Sequence, residues 1–267
     1  MKNIFLAPPF DKAWEGKDPF EEIRKIKGTT YREVKTRHTL NFQFNGESFY
    51  IKIHQGTTLK EILKNLFSLK LPILGARNEF EAINRLHELG VDTMEVVAFG
   101  ERGLNPLTRE SFIITKDLNP TISLEDYCKD WKSNPPPHAV KKALIEKVSE
   151  MVRNMHEGGV NHRDCYICHF LLQQPWNIDS RPHLSIIDLH RAQIREKVPK
   201  RWRDKDLVAL YFSTLNLNLG ITDYVRFLKT YFYGSSLREI LRAEKKLLSN
   251  ASKKADAINE RTIRKGL

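Results

Sequence analysis

The chain has 267 residues, 40% of them hydrophobic and 29% charged, which is enough apolar material for one large core or two lobes. Its 44 lysines and arginines against 33 acidic residues give a net charge of +11. Such a charge favours nucleotides, nucleic acid, acidic proteins or anionic lipid without choosing among them. Three cysteines are too few, and odd in number, for a disulfide framework, and no apolar run approaches the roughly 18 residues of a membrane span.

The opening apolar run breaks at Pro8-Pro9 and is too short for a signal-peptide core, so a reducing cytosol is the expected compartment. Residues 1–27 read as an extension containing Phe10, Trp14 and a short helical stretch near Phe20 to Ile26. Thr29–Val34, Leu40–Phe44 and Ser48–His54 are rich in β-branched and aromatic residues, with Asn45-Gly46 as a hairpin turn between the last two. In the third strand Phe49, Ile51 and Ile53 alternate with Tyr50, Lys52 and His54, which places Lys52 opposite the isoleucines.

Residues 57–71 form a basic amphipathic pattern with Leu59, Ile62, Leu63, Leu66 and Phe67 on one stripe. Packing on the first lobe is the simpler expectation; docking on a membrane or an acidic partner is the alternative. A second helix is predicted from Ala76 to Leu89, with Ala76, Phe80, Ile83 and His87 on its buried face and Glu79 at the edge. A carboxylate there needs a cation, and Lys52 is the candidate. Val96–Phe99 and Ser111–Thr115, joined by a loop from Glu101 to Arg109, complete five strands and one helix.

Lys116–Pro120 leads out of this region, and Ser123 caps a short helix. After Pro135-Pro136-Pro137, the recurrence of Val140, Leu144, Val148, Met151 and Met155 predicts a long helix that stops at Gly158-Gly159. It delivers the chain into Asn161-His162-Arg163-Asp164-Cys165-Tyr166-Ile167-Cys168-His169. Asp188 ends the apolar stretch Leu184–Ile187. Further on, Asp204 and Thr222 are expected to open helices, and Ser236 with Glu239 forms a capping box.

The segment 161–169 admits three readings. His162-Arg163-Asp164 has the form of a kinase catalytic loop, whose aspartate accepts the hydroxyl proton. Cys165-Tyr166-Ile167-Cys168-His169 spells a c-type haem attachment string. Two thiols and two imidazoles could hold zinc. Haem attachment belongs to exported proteins and needs an axial ligand, and zinc needs a distant fourth ligand. Packing is the simpler role of the cysteines. The order Lys52 on a strand, Glu79 on the next helix, Asp164 after a long helix and Asp188 at a strand end matches phosphoryl-transfer machinery, in which each group has a physical task.

Residues 161–172, 187–193 and 200–207 closely resemble the lipopolysaccharide core heptose kinases, and the kinase-like pattern covers nearly the whole chain. The resemblance implies an α+β, bilobal protein-kinase-like fold, with a small five-stranded antiparallel β lobe plus helix and a larger, mainly helical lobe. It implies a nucleotide-binding lobe over 1–118, including the extension, and a catalytic and substrate lobe with a basic helical tail over 119–267. The implied activity is ATP- and Mg²⁺-dependent phosphorylation of the first heptose of the inner core, at the cytoplasmic face of a Gram-negative inner membrane.

Carried over by residue, Lys52 would hold ATP phosphates, Glu79 would pair with it, and Asp164 would be the base. Asp188 would bind Mg²⁺, and Lys116, Asp117 and Leu118 would meet adenine through their backbone. Three departures stand out. The first strand connection, Lys35-Thr36-Arg37-His38, has no glycine, so the charges of Lys35 and Arg37 would replace a glycine-rich cradle. His169 stands where kinases place a metal-binding asparagine, so it either binds the metal weakly or hydrogen-bonds Asp164. Asp188-Leu189-His190 replaces Asp-Phe-Gly. The expected partners are the lipopolysaccharide acceptor, an anionic membrane surface contacted through 57–71 and the basic tail, and an acidic protein. With basic residues spread along the chain and no nucleic-acid motif, nucleic acid is not expected.

Overall fold

A computed structural model describes residues 2–34, 37–56, 75–105 and 108–253. Lys35, the amphipathic stretch 57–71 and the basic tail beyond Lys253 lie outside them. The described residues divide into two compact units. One falls within Met1–Arg85, Met94–Leu118 and Leu189–Arg191, and the other within Leu86–Thr93, Asn119–Asp188 and Ala192–Leu267.

The first unit contains β1 (Lys2–Leu6), α1 (Phe10–Ala13), α2 (Pro19–Lys25), β2 (Thr29–Val34), β3 (Arg37–Phe44) and β4 (Glu47–Gln55). Most of α3 (Arg77–Glu88), then β5 (Val96–Arg102) and β6 (Glu110–Lys116), complete it. Its strands form one antiparallel sheet in the order β1-β5-β6-β4-β3-β2. Asn45 and Gly46 take φ values of 51° and 83°, the paired left-handed turn that suits a two-residue hairpin.

Five strands match those read from the sequence; the sixth, β1, pairs with β5 from Lys2↔Arg102 to Leu6↔Ala98. Residues 1–27 are therefore part of this unit's architecture rather than an appendage. Phe10, Trp14, Phe20 and Ile23 bury against Phe42, Phe49, Ile51, Phe112 and Ile114 on one face of the sheet. Full burial of a side chain such as Phe10 is worth about 2–3 kcal/mol, so this cover is a substantial part of the core. The opposite face receives α3, with Phe80 stacked on Phe99 at 4.3 Å.

The buried stripe of α3 is Ala76, Glu79, Ala82, Ile83 and Leu86, rotated from the expected one. His87 is exposed and Leu86 takes its place, so Glu79 lies inside the buried face instead of at its edge. Strand β5 also runs on to Arg102, shortening the expected loop.

The second unit begins with β7 (Thr121–Ser123) and α4 (Leu124–Tyr127), capped by Ser123, whose Oγ accepts the Asp126 amide. Next come α5 (His138–Glu157), β8 (Val160–Asn161), β9 (Phe170–Gln173), β10 (Leu184–Ile186) and β11 (Gln193–Ile194). Then α6 (Lys200–Ser213), α7 (Ile221–Tyr231) and α8 (Leu237–Ala243) follow, with helical backbone again at 245–253. β10-β9-β7 and β11-β8 form two small antiparallel sheets.

Leu144, Val148, Met151 and Met155 of α5 are buried as predicted, joined by Val152 and His156. Helix α6 starts four residues before Asp204, which is an interior residue paired with Arg203, because Pro199 with its fixed φ of −62° already sets the entry. Gly220, not Thr222, is the N-cap of α7. Ser236 and Glu239 form the expected capping box. An antiparallel sheet with a helix on it, followed by a mainly helical unit, is an α+β arrangement.

Candidate active site

In the first unit, the alternation of β4 turns Lys52 away from Phe49 and Ile51 and toward the face that carries α3. Its Nζ lies 2.6 Å from Glu79 Oε1, and only 1% of the Glu79 side chain is exposed. Glu79 Oε2 is buried and has no hydrogen-bond partner among the described residues. A carboxylate in this position is tolerable because an ammonium holds one oxygen.

Arg37 pairs across the sheet with His54, as Thr39 does with Lys52, so Arg37 and Lys52 share a face. Burial first, then the charges of Arg37, Lys52 and His190, push the His54 imidazole down to about 3. At the end of β6 the Lys116 amide donates to Glu95 O and its Nζ pairs with Glu95, 3.0 Å away. The Asp117 amide donates to Ser48 O, and its carboxylate accepts from Ser48 Oγ at 2.8 Å and Asn41 at 3.3 Å. Two of the three amides expected to face adenine are therefore already committed. Leu118 is half-buried.

In the second unit, α5 ends at Gly158, and β8 leads directly into the loop that carries Asp164. Arg163 has φ 74° and Asp188 has φ 62°, left-handed conformations that ordinary residues rarely adopt. Strain of this kind persists only where surrounding contacts impose it. For Arg163 the contact is Asp206, a buried residue of α6. Asp206 Oδ2 accepts the His162 amide at 2.7 Å, and Oδ1 accepts the Arg163 amide at 2.8 Å. His156 Nε2 reaches the same carboxylate at 3.2 Å, while its Nδ1 meets the Tyr231 hydroxyl at 2.7 Å.

His162 is fully buried, and that burial holds its imidazole below the ordinary value. Its Nε2–H donates to Ile187 O at 2.9 Å, which leaves Nδ1 to accept the Asp164 amide at 3.3 Å. One neutral imidazole thus ties the loop bearing Asp164 to the segment bearing Asp188. His169 stacks on His162 at 5.5 Å and donates its Nδ1–H to the backbone carbonyl of Asp164 at 2.7 Å. That bond points its Nε2 toward Asp188 Oδ2, 3.6 Å away.

These positions discriminate among the three sequence readings. Cys165 is fully buried, and burial drives its thiol well above the ordinary value; Cys168 is pushed up to about 11 for the same reason. Protonated thiols are poor nucleophiles. His162 has both ring nitrogens engaged within the protein. Among the described residues, no group of three or more His, Cys, Asp or Glu is placed to hold a metal. Cys165 packs in the core and Cys168 is half-buried beside it. For Mg²⁺, which takes oxygen ligands, the carboxylate of Asp188 is the candidate donor, and His169 Nε2 stands 3.6 Å from it.

Asp206, His156 and Tyr231 were not recognised as site residues in the sequence. A signal existed: helical spacing puts Asp206 on one stripe with Leu210, and His156 on one with Val152, where a polar side chain needs a partner.

Known proteins resemble the chain along nearly its whole length. The sequence profile of the lipopolysaccharide kinase (Kdo/WaaP) family matches residues 21–231. The chain is 59% identical to the lipopolysaccharide core heptose(I) kinase WaaP of Escherichia coli strain K12, over 99% of this chain and 100% of that one. It is 52% identical to the protein of the same name from Pseudomonas aeruginosa, over 99% and 98%. A solved structure described as WaaP in complex with acyl carrier protein superposes with a TM-score of 0.85 at 48% identity, covering 96% of this chain and 98% of that one. With the family profile over most of its length and relatives 52–59% identical from end to end, the chain belongs to the lipopolysaccharide kinase (Kdo/WaaP) family.

Proposed function

We propose that this chain transfers the γ-phosphoryl group of ATP to a hydroxyl of the first heptose of the lipopolysaccharide inner core. The observation that carries the reading is identity of 52–59% along the full length of heptose(I) kinases. In this reading Asp164 accepts the proton of the attacking hydroxyl, the new P–O bond forms at the γ-phosphorus, and the bond to the β-phosphate breaks to release ADP. Lys52 binds phosphate oxygens, and Glu79 keeps its ammonium in place. Arg37 and Lys35 add cationic side chains where no glycine loop exists. The Lys116 to Leu118 carbonyls and the Leu118 amide receive adenine.

Asp188 and His169 Nε2 would hold Mg²⁺, which when bound offsets the charge of the phosphates. His169 also braces the Asp164 carbonyl, so its two expected roles are compatible.

Two partners follow from charge. A net +11 suits an acceptor embedded in anionic lipid, and we place the enzyme peripherally on the cytoplasmic face of the inner membrane. No helix among the described residues is long and apolar enough to cross a membrane. An acidic protein is the second partner, supported by the relative solved with acyl carrier protein. The second unit contains an apolar cavity of about 290 Å³, lined by Leu144, Val148, Leu207, Leu210, Phe227 and Leu247 among others.

The test is incubation of the purified protein with ATP, Mg²⁺ and core lipopolysaccharide lacking heptose phosphate, followed by mass spectrometry. One added phosphoryl group on the first heptose is expected, lost in Asp164→Ala while ATP binding persists. ATP binding without heptose phosphorylation would refute the reading.

A further inference from the structure

Four cationic groups of the second unit gather around one indole. The guanidinium carbons of Arg163, Arg195 and Arg201 lie 5.5, 5.9 and 5.0 Å from the centre of the Trp202 ring, and Lys205 Nζ lies 4.2 Å from it. A single cation over an indole is ordinary packing. Like charges this close repel each other, and an anion bound among them offsets that repulsion.

Arg195 shows how the charge is presented. Its Nη1 donates to Asn161 Oδ1 and its Nη2 to Gln193 Oε1, both at 2.6 Å. Both acceptors are neutral amide oxygens, so the guanidinium is aimed without being neutralised. The backbone is shaped for this as well. Gly159, at φ 85°, lies where a Cβ would come within 1.8 Å of Arg195 O, and the Arg195 amide donates to Gly159 O. Neither Arg195 nor Arg201 has a carboxylate partner among the described residues.

Helix α6 connects this cluster to the loop. Asp206 lies one turn beyond Trp202 and fixes the Arg163 amide, while the Arg163 side chain reaches back to Trp202.

We propose that Arg163, Arg195, Arg201 and Lys205 around Trp202 form an anion subsite. It binds a carboxylate or phosphate carried by the acceptor saccharide and so orients the hydroxyl at Asp164. This rests on the reading of the chain as a saccharide kinase. Guanidinium forks match both anions bidentately, which gives orientation as well as attraction. Because Arg163 directly precedes Asp164, the bound anion belongs to the reacting sugar or its immediate neighbour.

The experiment measures steady-state phosphorylation of deacylated acceptor, which removes any membrane contribution, by wild type, Arg201→Gln and Arg195→Gln/Arg201→Gln. Three acceptor forms are compared: intact, stripped of phosphates, and carboxyl-reduced. For the intact acceptor, KM is expected to rise about 10- to 100-fold in the double variant, with KM for ATP and the thermal midpoint unchanged. In wild type one modified acceptor shows the same rise, and the double variant uses that acceptor no worse, since both changes delete one interaction. The acceptor that does so identifies the anion.

An unchanged KM in the double variant, equal use of all three acceptors by wild type, or a rise in KM for ATP instead, overturns the proposal. Arg201 is exposed, so the single variant carries the test if the double one unfolds. A wild type that phosphorylates none of the acceptors refutes the proposed function, which keeps the two failures apart.

Discussion

Replacing Asp206 by asparagine measures what one buried carboxylate contributes to a strained loop. Its two oxygens serve three donors: Oδ2 takes the His162 amide and His156 Nε2, and Oδ1 takes the Arg163 amide. Asparagine keeps the shape but offers one oxygen, so its NH₂ must face a donor. The milder orientation sacrifices the Arg163 bond, a charge-assisted bond worth about 1.5–3 kcal/mol. The two remaining bonds weaken as the charge disappears, by about half each.

Arg163 then keeps its φ of 74° with less to hold it, against an intrinsic cost of roughly 1–2 kcal/mol. The expected loss is about 3 kcal/mol, large against the ~5–15 kcal/mol that stabilises a domain. Relaxation of the turn would also displace Asp164, and a shift of about 1 Å costs on the order of 100-fold in turnover. Urea denaturation at pH 7 and kcat under saturating substrates measure the two effects. A loss below about 1 kcal/mol, with kcat within about twofold of wild type, would show that the turn holds without Asp206.

Lys52→Met strands the Glu79 carboxylate at 1% exposure and should cost about 3–5 kcal/mol, whereas Lys52→Met/Glu79→Leu should recover much of it while both stay inactive. Equal destabilisation of the two variants in denaturation curves would contradict the coupling. The His54 and His162 imidazoles both titrate below their ordinary value of 6.5 in the folded chain, His54 at about 3. Their stabilisation is therefore present above pH ~6.5 and is lost as pH falls toward their folded values, by up to about 1.4 kcal/mol per pH unit for each. Urea midpoints at pH 7, 6 and 5 test this, and a profile in which they do not fall with acidification rules it out. His169→Ala should raise the Mg²⁺ concentration needed for half-maximal turnover, because it removes the nitrogen facing Asp188 and puts no donor in its place. Slower turnover at an unchanged Mg²⁺ requirement would assign His169 to bracing the Asp164 carbonyl alone.

Much of this molecule is written in local pattern. The alternation around Ile51 and Ile53 specifies which way Lys52 points, Asn45-Gly46 specifies the turn before it, and the spacing of Leu144 to Met155 specifies α5. These follow from side-chain periods of 2 and 3.6, which neighbouring residues reveal without the rest of the fold. The motif residues His162, Asp164, His169 and Asp188 were legible for a related reason: they lie on short segments bounded by recognisable elements.

Other features depend on residues far apart in the chain. The first 27 residues cover a sheet face through scattered aromatic residues with no period to announce them, and α3 rotates to bury Leu86 and Glu79 in place of His87. Asp206 serves amides more than forty residues earlier, and arginines from three segments gather at Trp202. The difference is physical. Apolar burial repeats along an element and leaves a trace in composition, whereas a buried polar group is satisfied by one distant partner. Only closure of the chain brings that partner within hydrogen-bonding reach.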